Sequence, residues 1–179
     1  DDRGQGVQMI NPGYVLTMAR YNAWQNKQLM AAMESMGDAA LREDRGAFFG
    51  SILATANHIL WGDKMWMARF QGQEPPSGGI EGSTTLHPTF AAWSAERFRM
   101  DGRILLWAEK LHALDLVGDL SWYSGFMKQD VTRPKGALIV HMFNHQTHHR
   151  GQIHAMLTAA GAKAPVSDLF FMPEDGPWL

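Results

Sequence analysis

The sequence predicts an all-α protein, a four-helix bundle with a long crossover and a short irregular or hairpin segment before the last helix. Three observations carry that prediction. Apolar residues recur at helical spacing through four long segments. One connection, Gln71–Leu86, holds Gly72, Pro75, Pro76, Gly78, Gly79 and Gly82, so it cannot be helical, and it is long enough to cross the molecule. No run of period-2 alternation competes with the helical pattern. The 179 residues match the size of one domain, and residues 1–179 read as a single helical unit without internal repeats.

Asn11-Pro12 opens the first helix, an N-cap residue followed by proline at the first helical position. Val15, Met18, Ala19, Ala23, Leu29, Met30 and Met33 continue it towards Gly37. The second helix is expected from about Asp44 to Phe70, stopped by Gly72 and Pro75-Pro76. Its packing stripe is Phe49, Leu53, Ala56 and Leu60, while the opposite face carries Ser51, Thr55, His58, Gly62 and Met65. Pro88 starts the third helix, which runs to Leu111 or Leu114. Between Asp115 and Arg133 the rhythm fails, and Leu120, Trp122, Tyr123, Phe126 and Val131 around Gly125 suit a short hairpin or an irregular layer. The fourth helix begins at Thr132-Arg133-Pro134 and ends at Gly161, a good C′ residue. The tail, Ala162–Leu179, is expected to pack as an extended strap through Leu169-Phe170-Phe171.

Composition removes several classes of function. Without cysteine there is no disulfide, thiolate zinc site, iron–sulfur cluster or cysteine nucleophile. The 16 Lys+Arg against 18 Asp+Glu leave no basic footprint for nucleic acid. No apolar run approaches a membrane span, and Asp1–Gln8 does not resemble a signal peptide, so a cytoplasmic location is expected.

Histidine is the exception to this plain background. Of 8 in the chain, His141, His145, His148, His149 and His154 fall within one helix. At about 100° per residue, His141, His145 and His149 share its apolar face with Leu138, Met142, Gln152, Ile153 and Met156, while His154 points away and His148 lies at the edge. An i,i+4 histidine pair is the helical geometry that chelates one divalent ion. His141 and His149 are about 12 Å apart along the axis, so all three cannot easily serve one ion: one pair ligates, or the third supports it, and the alternative is that they are packed core histidines. The sequence HQTHH is not the zinc-protease motif HExxH, because Gln146 replaces the general-base glutamate. A third ligand must come from another helix, and His58, among small neighbours that leave room for a ring and an ion, is the best placed. His87 in a loop and His112 at a helix end read as surface residues. Asn57 and Asn144, each preceding a candidate ligand, read as surface amides or as supports behind the ligands.

Four segments together resemble the DinB (DinB/YfiT-like) family of metalloenzymes. His141–Leu157, HMFNHQTHHRGQIHAML, is similar to that family's signature. Tyr21–Leu29 (YNAWQNKQL) and Ala56–Trp66 (ANHILWGDKMW) resemble its first- and second-helix motifs, and Ser167–Phe171 (SDLFF) its C-terminal strap. The resemblance implies an up-down-down-up bundle, often a homodimer, with a divalent ion near one end. It implies His58, His145 and His149 as the metal ligands, with His141 as a pocket or supporting residue; Gln152, one turn beyond His149 on the same helix face, is a separate candidate to bind substrate or water. It leaves the reaction open: relatives include thiol-dependent S-transferases and isomerases, and the association with DNA-damage induction describes expression, not chemistry.

Two readings of function follow. In the first the protein is a metal-dependent enzyme on a small molecule, a hydrolase or a thiol-dependent S-transferase or isomerase. Zinc or nickel is then the expected ion, and an external low-molecular-weight thiol the expected cosubstrate, since the chain has none of its own. Trp61, Trp66 and Met142 are candidate pocket walls or core residues. Tyr21, Tyr123 and Glu96 are the candidates for a general base; Asp63 points away from His58, and Arg150 suits a salt bridge or dimer contact. In the second reading the ion only stabilises the bundle or is sensed by it.

Overall fold

A computed structural model describes residues 8–179, so nearly all of the Asp1–Gln8 segment discussed above lies outside it. The protein is mostly helical, with one small antiparallel sheet. The long helices are α1 (Pro12–Glu34), α3 (Ile52–Gln71), α4 (Phe90–Lys110) and α5 (Lys135–Ala159); α2 (Asp38–Arg42) is a short helix. The hairpin expected before the last helix is present as β1 (Asp119–Ser124) and β2 (Gln129–Pro134), with Trp122 opposite Val131.

Helix boundaries follow their caps. Asn11 accepts from the Tyr14 N–H at 2.9 Å, with Pro12 at the first helical position. Gly72 closes α3 in the left-handed region at φ 63°. The second long helix begins at Ile52, later than the sequence pattern suggested. Gly46 and Gly50 hold φ of 68° and 81°, which a helix cannot contain, and Ser51 caps the chain as it leaves that turn. Likewise Thr89, not Pro88, caps α4. The crossover contains a 3-10 turn, Ile80–Thr85, packed on α3.

α1 packs on α4 and α5, and α3 packs on the same two helices, so each long helix faces two others around a shared core. Val15, Met33, Leu60, Trp93, Ile104 and Ile139 are among its fully buried members. Met142 is wholly buried among them, which makes it a core residue and not a pocket wall. The tail does cross α1, but by hydrogen bonds: Tyr21 and Gln25 donate to the carbonyls of Ser167 and Val166. Phe170 and Phe171 are 79% and 60% exposed, so the strap is not held by burial of its phenylalanines.

A polar network also runs through the core and touches every long helix. From α4, Arg97 Nη2 lies 2.6 Å from Asp101 Oδ1 and 2.7 Å from Asp63 Oδ2 of α3. Asn22 and Asn26 of α1 donate to Asp101 at 3.0 and 3.1 Å. From α5, Gln146 donates to Asp63 at 2.8 Å, and Arg150 donates to Asn22 at 2.7 Å. Two carboxylates and two guanidiniums balance, which is what lets charge sit this deep. Burial is still felt: it pushes the Asp101 carboxyl up to about 6 although Arg97 opposes the shift.

Candidate metal centre

His58 reaches the site from the middle of α3, and His145 and His149 reach it from successive turns of α5. One ligand nitrogen from each falls within 4.8 Å of the other two. The ring centroids are 5.0 Å apart for His58–His145, 4.7 Å for His58–His149 and 4.6 Å for His145–His149. Gly62, one turn beyond His58, makes this approach sterically possible, because a Cβ there would stand 2.8 Å from His145 Cε1. His58 and His149 are buried, and His145 is half-buried.

Two of the rings are oriented from behind. His149 Nδ1 donates to Gln152 Oε1 at 2.8 Å, an oxygen that can only accept, so Nε2 of the neutral ring is left bare. His58 Nδ1 lies 2.9 Å from Ser83 Oγ, a fully buried hydroxyl on the crossover's 3-10 turn. With the proton on Nδ1, Nε2 of His58 is also free to ligate. That nitrogen faces His145 Nε2 at 3.0 Å, a contact that requires a proton or a cation between the two. If His145 supplies the proton, its Nδ1 is bare, buried and without a partner. With Nδ1 protonated on His58 and His149, the imidazole nitrogens that converge here carry at most one proton among them, which is the donor set a divalent cation fits.

The electrostatics agree. Burial, then the neighbouring His149, depresses His58 to about 4, and burial with four surrounding histidines depresses His145 to about 3. Burial also lowers His149. The rings are thus held neutral, the form that ligates. In metal-free protein the unfolded chain takes up protons below pH 6.5 that the folded rings refuse until about 4 and 3. Stability should therefore be full above 6.5 and fall progressively as pH drops through that window. Chemical denaturation of chelated protein at several pH values checks this; stability that rises from pH 6.5 to 4.5 would contradict it.

The remaining candidates sort themselves by place. His141 is exposed one turn before His145, with ring centroids 6.0 Å apart, and His148 is exposed beside His149. Trp61 stacks 6.0 Å from His58. Asp63 faces the buried network, as the helical wheel requires. Arg150 lies there as well, buried and bonded to Asn22, so it is no free surface contact. Glu96 is paired with Lys64 and Arg99, Tyr21 is bonded to the tail, and Tyr123 is 64% exposed on β1. Among the described residues none of these three bonds to a ring of the triad. Asn57 is buried, and it clamps the crossover by exchanging two 3.0 Å hydrogen bonds with the His87 backbone.

Two residues at the site were not anticipated. Phe49, which the wheel put on the opposite face, precedes the helix and turns its ring to 4.2 Å from His58 and 5.3 Å from His149. Ser83 sits in a glycine-rich connection, where nothing in the sequence distinguishes it. Behind-the-ligand partners typically matter by 10–100-fold in metal affinity, so Ser83→Ala should weaken zinc binding by about that factor. Competition with a chromophoric chelator would measure it, and unchanged affinity would show that the Ser83 contact is idle. A cavity of about 590 Å³ lies elsewhere, between α1, α5 and the tail, lined by Tyr21, Leu29, Arg150, His154 and Pro165 among others and by no histidine of the triad.

Comparison with known proteins supplies an independent line. The profile of the DinB family matches residues 9–176. Protein DinB of Bacillus subtilis (strain 168) is 27% identical over 159 residues, covering 85% of this chain and 90% of that protein.

Proposed function

This chain belongs to the DinB family, and from that premise we propose that it is a divalent-metal-dependent enzyme acting on a small molecule. The observation that carries the reading is the convergence of three buried or half-buried histidines with ligand atoms within 4.8 Å. His58, His145 and His149 would hold the ion, zinc or nickel, and three protein ligands leave a position for a substrate or water. When bound, the ion supplies Lewis acidity and lowers the pKa of a ligated water or thiol. The chain's own groups do the rest. Gln152 and Ser83 hold two imidazoles in the ligating tautomer and orientation. Phe49 and Trp61 present apolar rings that limit water around His58. Among the described residues no carboxylate joins the triad as a general base, which favours a reaction whose nucleophile ionises readily. An external thiol is therefore a better cosubstrate than water.

The same reading takes the long helices as an up-down-down-up four-helix bundle, one domain, assembling as a homodimer in the cytoplasm. Among the described residues no helix is long and apolar enough to cross a membrane. A second reading has its own support. The triad joins α3 to α5, and Ser83 joins it to the crossover, so an ion there would also staple three elements together.

One assay separates the two. Protein loaded with zinc or nickel is mixed with 2-mercaptoethanol and an aryl chloride electrophile, alongside chelated protein and His149→Ala. The enzyme reading predicts thioether formation in the loaded parent only. Stoichiometric metal with no turnover on any electrophile tried would favour the stapling role.

A further inference from the structure

A row of aromatic rings leads from the histidine triad along α3 and α5 to a cation without an acid. The His141 ring lies 6.0 Å from His145, and Trp66 meets His141 edge-on at 5.2 Å. Trp122, from β1 of the hairpin, meets Trp66 edge-on at 5.7 Å. Over these two indoles sits the Arg69 guanidinium, its carbon 4.6 Å from the Trp66 ring centre and 5.0 Å from that of Trp122. Arg69 is half-buried, and among the described residues no carboxylate pairs with it and no acceptor takes its N–H donors.

Stacking engages the faces of a guanidinium and fixes its plane, while its edge donors stay free. That edge is the fork that receives a carboxylate or phosphate in bidentate fashion. Two aromatic partners restrict the side chain before any ligand arrives, so little further entropy is lost on binding. The placement is also directional. Helical side chains lean towards the N-terminus of their helix, so Arg69, lying over Trp66, leans back towards His58. Trp66 itself is about 12 Å from His58 along the α3 axis, and the exposed His141 lies between it and the triad. A molecule lying along this row would meet the histidine centre with one end and Arg69 with the other.

We propose that Arg69, held by Trp66 and Trp122, binds the anionic end of the molecule that the histidine centre handles. The substrate is then a small organic compound carrying an oxyanion, a carboxylate or phosphate, about two helical turns from its metal-facing group. This rests on the metal-dependent reading above and narrows it to a substrate class. The hairpin acquires a role as well, because Trp122 brings it against α3 beside Arg69.

The test uses full-length protein loaded with Co(II), whose visible absorption reports a coordinated thiolate. ω-Mercaptocarboxylates of three to eleven carbons are titrated against neutral alkyl thiols of matching length, in the parent, Arg69→Gln and Arg69→Lys. In the parent, the best-fitting mercaptocarboxylates should bind about tenfold more tightly than their neutral homologues, the scale of one charge-assisted hydrogen-bond pair. Arg69→Gln should erase that preference while leaving cobalt content and neutral-thiol affinity unchanged, and Arg69→Lys should keep part of it. Equal affinities in the parent, or a preference that survives in Arg69→Gln, overturn the assignment. If no thiol perturbs the cobalt spectrum, the thiol part of the functional reading fails. Calorimetry with hexanoate and hexanol then decides Arg69 alone: hexanoate binding lost in Arg69→Gln upholds it, and no Arg69-dependent binding overturns it.

Discussion

Replacing Arg97 with methionine should lower the unfolding free energy by about 3–5 kcal/mol, the usual consequence of removing one partner from a buried ion network. Arg97 is 1% exposed, and it is the cation shared by Asp63 and Asp101, both equally buried. Without it, two carboxylates remain in the core with only amide donors from Asn22, Asn26 and Gln146. The control is Arg99→Met, two residues along the same helix. That guanidinium is 71% exposed and pairs with Glu96 at the surface, where screening by water leaves an effect of about 0.5 kcal/mol or less. Urea unfolding of the three proteins measures both. Similar midpoints for Arg97→Met and the parent would mean that the network contributes nothing net. The network also bears on the site, because Gln146 and Arg150 immediately follow His145 and His149 on α5 and are fixed by it to α3 and α1. It sets the depth at which the two helices present their imidazoles to each other.

The second large effect is metal-linked stability. An ion that binds the folded state alone at 100 times its dissociation constant adds about 2.7 kcal/mol, which for a chain of this size raises Tm by roughly 5–10 °C. Differential scanning calorimetry with and without zinc should show that rise in the parent and in His148→Ala, whose ring is exposed outside the triad. His145→Ala should show almost none, since it removes the ring that faces both other ligands. A full shift in His145→Ala would place the ion elsewhere.

Much of this arrangement was legible from one chain. Helical periodicity, Asn11-Pro12 and the glycines at 72 and 161 located the long helices, because caps and breakers act locally. The i, i+4, i+8 spacing of His141, His145 and His149 left two pairs open, the small neighbours of His58 marked it as a partner, and the family resemblance chose His58, His145 and His149, the three that the structure brings together. What was missed depends on contacts distant in sequence. Ser83 acquires its role only when the crossover folds onto α3, 25 residues from His58. Phe49 was placed by a wheel that assumed a helix where Gly46 and Gly50 hold a turn. The buried network did leave a trace: Asn22/Asn26, Arg97/Asp101 and Gln146/Arg150 are all i,i+4 polar pairs on helix faces that otherwise carry mostly apolar residues. Such pairs look the same in sequence whether they face solvent or one another, and only the packing of four helices decides.

Metal content per chain tests the central claim most directly. The protein should be purified without an affinity nickel column, with His145→Ala and His148→Ala alongside. The account predicts about one divalent ion per chain in the parent and in His148→Ala, and none in His145→Ala. Loss in His148→Ala with retention in His145→Ala would contradict it. So would a parent that takes up no ion even after zinc or nickel is added, leaving His58, His145 and His149 as core histidines and nothing more.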